Sequence, residues 1–189
     1  MRDGLIAYID TPAQGNRRPA GIPWCADNGR YGKGWPGADE WIAWLASMDP
    51  ADCLFATAPD VVGDAAATLA ESLPWLPRIR ALGYPAALVA QDGLESLDVP
   101  WDAFDVLFIG GTTAWKLGPH ARTLVAEAKH HGKRVHMGRV NSERRYRYAA
   151  AIGCDSADGT YLTFGPDRNL PDLLAWVRTT AQPALEESA

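Results

Sequence analysis

Short apolar or β-branched runs recur along this chain and alternate with stretches of helical periodicity. That alternation restricts the fold more than any other feature of the sequence. The runs at 5–10, 53–58, 86–91, 106–110 and 134–137 each fit a buried strand. Between them, 39–48 places Trp41, Trp44, Leu45 and Met48 at helical spacing. Asp64 is placed to cap a helix that reaches Leu73, breaks at Pro74, resumes to Leu82 and stops at Gly83. Helices are also expected over 119–131 with Gly132 as stop, from a cap at Asn141 or Ser142 to Ile152 with Gly153 as stop, and over 170–180. Strand–helix alternation implies parallel strands joined by crossover helices, in a doubly wound open sheet or a closed eight-fold barrel. A barrel would leave roughly 24 residues per strand–helix unit, tight against its usual lower limit of about 200 in all.

With 189 residues, 47% of them hydrophobic and 22% charged, the chain has enough apolar material for one sizeable core and is not intrinsically disordered. Residues 1–180 read as a single domain and 181–189 as a disordered tail. No apolar run approaches the roughly 20 residues of a membrane span, so the expectation is a soluble protein of the cytoplasm. Cys25, Cys53 and Cys154 lie too far apart for a compact metal cluster and read as reduced thiols, so no metal or cofactor is expected. The net charge of −5 conceals segregation. Between Lys129 and Tyr148, seven Lys or Arg face Glu143 alone, a local excess of +6, whereas Asp49 to Asp105 carries ten acids against Arg78 and Arg80.

Polar and glycine-containing turns gather where the strands should end: Asp27-Asn28-Gly29, Asp60, Gln91-Asp92-Gly93, Gly110-Gly111, His136-Met137-Gly138-Arg139 and Cys154-Asp155-Ser156-Ala157-Asp158. In parallel α/β folds these ends share one rim, where active sites are built. Taken singly, each has a bland reading. Asp before Asn-Gly is most often a turn residue, Asp64 a helix cap, Met137 a core residue and a charge run a solvated helix face.

The stretch Val135-His136-Met137-Gly138-Arg139-Val140, a helix, and then Gly153-Cys154-Asp155-Ser156-Ala157-Asp158 together resemble the tRNA-guanine transglycosylases. There a Met-Gly strand end, a helix and a G-x-D-x-x-D segment carry a covalent nucleophile. The other rim motifs follow in the same order over roughly residues 5 to 165. Asp27-Asn28-Gly29 with Tyr31 is similar to the family's general-base segment, Asp60 to its base-reading Asp, Gln91 to its substrate-binding Gln and Gly110-Gly111 to its Gly-Gly loop. The family's C-x-C-x-x-C…His zinc segment and Arg-rich segment do not follow Asp158, where Gly159-Thr160-Tyr161-Leu162 stands instead. The chain therefore resembles most the compact, zinc-free 7-deazapurine DNA transglycosylases of bacteriophages and DNA-modification clusters.

The resemblance implies a compact (β/α)8 TIM-like barrel, minimal or imperfect at this length. It also implies exchange of guanine in DNA for a 7-deazaguanine, with tRNA as the less favoured substrate. Asp158 is then the nucleophile and Asp27 the general acid/base, with Asp155 as the alternative nucleophile. Asp60 would accept from the base's N1–H and 2-amino group, and Gln91 and the Gly111 N–H would donate to O6. Tyr31 and Met137 would sandwich the ring, and Gly110, Gly111 and Gly138 would let backbone approach it. Arg139, Asn141, Arg144, Arg145 and Lys116 would hold phosphates, extended by Lys33, Arg30, Arg18 and Arg17. Partners are DNA and a free guanine or 7-deazaguanine; partner proteins or a homodimer stay open. The rival readings are a tRNA-acting enzyme, a nucleobase-binding subunit without catalysis, and a barrel enzyme binding a sugar phosphate at Gly110-Gly111.

Overall fold

The computed structural model describes residues 5–14 and 18–181. Seven strands, β1 (Tyr8–Asp10), β2 (Trp24–Ala26), β3 (Cys53–Thr57), β4 (Ala86–Ala90), β5 (Val106–Ile109), β6 (Arg134–Met137) and β7 (Ser156–Ala157), form one sheet in sequence order. Every neighbouring pair is parallel. Helices α1 (Ala38–Ser47), α2 (Ala65–Ser72), α3 (Leu76–Ala81), α4 (Thr113–Lys116), α5 (Pro119–His130), α6 (Glu143–Ala151) and α7 (Pro166–Ala181) lie between and after the strands. A parallel sheet in sequential order with right-handed crossovers places all of its helices on one face.

The helix-covered face is the main core. Trp24, Ala56, Leu88, Leu107, Val135 and Met137 point into it from the strands, against Trp41 and Leu45 of α1, Leu76 and Ile79 of α3, and Leu124 and Val125 of α5. The opposite face closes on itself around Cys25, Phe55, Ala87 and Val106, with Ile9 and Phe108 packed on them. Ring contacts measure the curl. Phe55 of β3 and His136 of β6 have centroids 4.9 Å apart, where three strand spacings in a flat sheet would separate them by roughly 14 Å. The sheet is therefore a curled half-barrel.

The expected eight-fold closure does not form. Among the described residues the sheet has seven strands, and β1 and β7 each pair on one side only. After β7 the chain turns at Leu162–Phe164 and enters the sixteen-residue α7, which packs Trp176 against Tyr146 of α6 and Tyr161 rather than adding a strand. The α/β class stands, as an open sheet.

Local signals explain the helices. Asp64 accepts the Ala67 N–H at the start of α2, and Pro74, which has no N–H to donate, lies between α2 and α3. Of the two candidate caps for α6, it is Ser142 whose hydroxyl accepts the Arg145 N–H. Helix α7 begins at Pro166, four residues ahead of the expected start, because Asn169 already donates its N–H to Gly165. Among the described residues no helix is long and apolar enough to cross a membrane. Of the expected tail at 181–189, Ala181 still belongs to α7, and 182–189 lie outside the described residues.

Leu107 sits on a central strand with no exposed surface, between helix-facing neighbours on β4 and β6. Leu107→Ala is expected to cost about 2–5 kcal/mol, seen in chemical denaturation as a lower midpoint with an unchanged slope.

Candidate active site

The curl brings the carboxyl ends of the strands around one cavity of about 760 Å³, lined among others by Asp27, Tyr31, Asp60, Gln91, Phe108, Gly110, Arg139, Asn141, Arg145 and Asp158. Asp27 leaves β2 in a tight turn, its Oδ1 accepting the Gly29 N–H at 2.7 Å. Burial pushes its carboxyl up to about 6 against the pull of that hydrogen bond, and the carboxylates of Asp158 and Asp60 push in the same direction. Asp60, after β3, is also raised by burial, but each of its oxygens has a donor. Asn28 Nδ2 donates to Oδ1 at 3.0 Å and Gln91 Nε2 to Oδ2 at 2.7 Å. Asn28 is itself fixed by donating to the Ala58 carbonyl and by its N–H on the Thr57 hydroxyl.

Gln91 turns its carbonyl toward two backbone donors, Gly63 N–H at 2.9 Å and Gly111 N–H at 3.1 Å. The Gly111 N–H expected to read a base is thus held by Gln91 in this state. Gly111 has φ 50°, and a Cβ there would lie 2.3 Å from the Trp115 ring, so the turn admits only glycine. At Gly138 a Cβ would fall 2.7 Å from the Phe108 ring and 3.2 Å from Asp158 Oδ1, so its absence opens the space between them.

Asp158 follows β7 at the same rim. Its Oδ1 accepts the Arg139 N–H at 3.1 Å and lies 3.2 Å from His136 Nε2. Asp155 precedes β7 and so stands at the opposite end of the sheet. It is bound there by Lys129 Nζ, 2.7 Å from Oδ1 and 2.8 Å from Oδ2, and by the Val135 N–H. The geometry separates the two carboxylates that the sequence leaves as rivals.

Several expected site residues are placed otherwise. Met137 is fully buried in the helix-facing core; with His136 turned inward, strand alternation sends the next side chain outward. Phe108, on the inner face of β5, lines the cavity in its place. Lys116 is 1% exposed and its Nζ donates to the Gly138 carbonyl at 2.5 Å, so it is not on a phosphate-facing surface. Burial pulls its ammonium down to about 8, with Arg139 and Arg145 pulling the same way. Arg139 takes φ 60°, stacks its guanidinium 4.1 Å from the centroid of the exposed Tyr31 ring and donates to the carbonyls of Gly110 and Gly111. Arg145 and Asn141 line the cavity, with Asn141 Oδ1 accepting the Thr160 N–H, and Arg144 is exposed on α6. Arg30 is engaged by Glu71 through two hydrogen bonds, Arg18 lies over Trp24, Lys33 is exposed, and Arg17 lies outside the described residues.

The sequence names Asn28 and His136 only as members of rim motifs, without a role, and Phe108 only within a strand run. Asn28 was legible only as a turn residue. Phe108 and His136 sit at inward positions of β5 and β6, which the period-2 rule identifies once one neighbour's face is known. Among the described residues no group of three or more His, Cys, Asp or Glu could hold a metal ion.

No family model matches the chain, and no curated protein matches it. Among solved structures the chain is similar to one described as PaMucR phosphodiesterase in complex with c-di-GMP. The TM-score is 0.44 at 19% sequence identity, covering 76% of this chain and 67% of that chain. A likeness of that size assigns no activity.

The raised Asp27 has a measurable consequence. A carboxyl held at about 6 when folded, against 3.8 for the ordinary group, favours the folded state below pH 4 and loses that contribution as pH rises through 6. Asp27→Asn keeps the acceptor for Gly29 and removes the ionisation. It is expected to be more stable than wild type at pH 8, by on the order of 2 kcal/mol after screening, with the difference closing toward pH 4 in thermal melts.

Proposed function

We propose that this protein is a base-exchange transglycosylase that replaces guanine in DNA by a 7-deazaguanine through a covalent Asp158 intermediate. The observation that carries the reading is the pair of carboxylates Asp27 and Asp158, delivered to one cavity from β2 and β7, with the Asp60–Gln91 pair lining the same cavity. Asp158 is held by donors on one oxygen, as suits an ionised nucleophile, while Asp27 is poised near neutrality, as suits proton transfer.

In the first half-reaction an Asp158 oxygen bonds to C1′ of the nucleotide and the C1′–N9 bond breaks. The bonding pair leaves with guanine, which takes the proton of neutral Asp27. In the second, the Asp27 carboxylate removes the N9 proton of the incoming base. That nitrogen bonds to C1′, and the ester electrons return to Asp158. Asp60 retains lone pairs for the N1–H and 2-amino donors of either base, and its Asn28 and Gln91 donors favour the ionised form that this requires.

A base entering between Tyr31 and the Phe108 wall meets Arg139 on the Tyr31 face. Displacing it from the Gly110 and Gly111 carbonyls frees a guanidinium beside Arg145 for the nucleotide's phosphates. The compact TIM-like ancestry belongs to the same proposal. A seven-strand half-barrel keeps the rim of such a barrel without its closure. DNA is preferred to tRNA because the segment after Asp158 runs into Gly159-Thr160-Tyr161-Leu162 and α7, where the tRNA-acting relatives place their zinc ligands.

The test is incorporation of labelled guanine or 7-cyano-7-deazaguanine into duplex DNA, with tRNA in parallel and the covalent adduct trapped by denaturation. Wild type is expected to label DNA and Asp158→Ala to form no adduct. Labelling confined to tRNA overturns the DNA assignment, and an adduct in Asp158→Ala overturns the nucleophile. Because Asp27 must be neutral in the first step and ionised in the second, adduct formation is expected to slow as pH rises through about 6, and base capture to speed up.

A further inference from the structure

Much of the inner face of the sheet is apolar. Cys25, Phe55, Ala87, Val106 and Phe108 fill it, yet β6 turns a histidine into the same layer, 2% exposed and with its ring 4.9 Å from Phe55 and 4.8 Å from Phe108. An imidazole in such a setting costs stability unless both nitrogens are partnered. Both are. Nδ1 lies 2.8 Å from the hydroxyl of Ser156, its register partner on β7, and Nε2 lies 3.2 Å from Asp158 Oδ1.

The chemistry of the two partners orders the protons. An ionised carboxylate only accepts, whereas a hydroxyl both donates and accepts. The chain therefore runs in one direction: Ser156 O–H donates to Nδ1, and Nε2–H donates to Asp158. A second donor converges on the same oxygen, the Arg139 N–H at 3.1 Å. That peptide is held at its other end, where Lys116 Nζ donates to the Gly138 carbonyl. Arg139 takes the left-handed conformation that aims its N–H at Asp158, a backbone that an arginine adopts only when its surroundings impose it. Oδ1 is thereby committed to protein donors, while among the described residues Oδ2 of this cavity-lining side chain accepts no hydrogen bond.

We infer that His136 is a positioning residue for Asp158: with Ser156 fixing its tautomer, it holds Oδ1 so that Oδ2 is the oxygen presented to the substrate. Presentation of Oδ2 to a substrate rests on the transglycosylase reading. The Ser156–His136–Asp158 chain does not.

Two measurements test it. In protein labelled with ¹⁵N-histidine, the His136 proton is expected on Nε2, with that nitrogen's signal moving in Asp158→Asn. A proton on Nδ1, or a signal indifferent to Asp158→Asn, overturns the inference. In single-turnover adduct formation on duplex DNA, His136→Leu is expected to slow the first step roughly 10²-fold with affinity for the free base unchanged. His136→Gln, which restores a donor near Nε2, is expected to recover most of the rate. Equal loss in the two variants shows a packing role only and also overturns the inference. Should wild type form no adduct, the transglycosylase reading falls and the nitrogen spectra alone decide the relay.

Discussion

The site depends on the curvature of the sheet. Strands in sequential parallel order leave one face without helices, and that face must bury itself. It does so by rolling Phe55, Phe108 and His136 into mutual contact over small neighbours at Cys25 and Ala87. The same rolling carries the ends of β2 and β7, at nearly opposite edges of a seven-stranded sheet, to a single cavity. Without it the Asp158 carboxylate would not raise the proton affinity of Asp27.

Gathering three carboxylates in one place is costly, and the protein distributes the cost unequally. Asp60 and Asp158 each receive two protein donors, from Asn28 and Gln91 in one case and from His136 and Arg139 in the other. Asp27 accepts from the Gly29 N–H and is the carboxylate pushed up to about 6. A buried carboxyl raised in this way beside other carboxylates is suited to exchanging protons. The nearest cations are turned to structural use. Lys116 clamps the Gly138 carbonyl and Arg139 bridges Tyr31 to the Gly110-Gly111 turn.

Much of the fold was readable because its signals are local. Asp64, Pro74, Ser142 and the stop glycines act on the few residues beside them, and α2, α3, α5 and α6 end where those residues say they should, to within a residue or two. The missing eighth strand was not readable, since a count of strand–helix units cannot tell whether the last segment pairs with the first or packs as α7 on α6. The rim acids and glycines were found from their position after each run. The facing of Met137 and the burial of Lys116 were not, because strands of two to five residues do not by themselves reveal which parity points inward.

By itself, then, the sequence determined the kinds of element, their order, and the collection of Asp27, Asp60, Gln91, Gly110, Gly111 and Asp158 at strand ends. These follow from periodicity and turn chemistry, which act over a few residues. Only the tertiary structure decided that Asp158 and not Asp155 reaches the cavity, that Phe108 replaces Met137 in its wall, and that His136 joins the site. Each of those depends on which end and which face of a strand is used once the sheet has curled, a property of register and packing between segments that lie far apart in the chain.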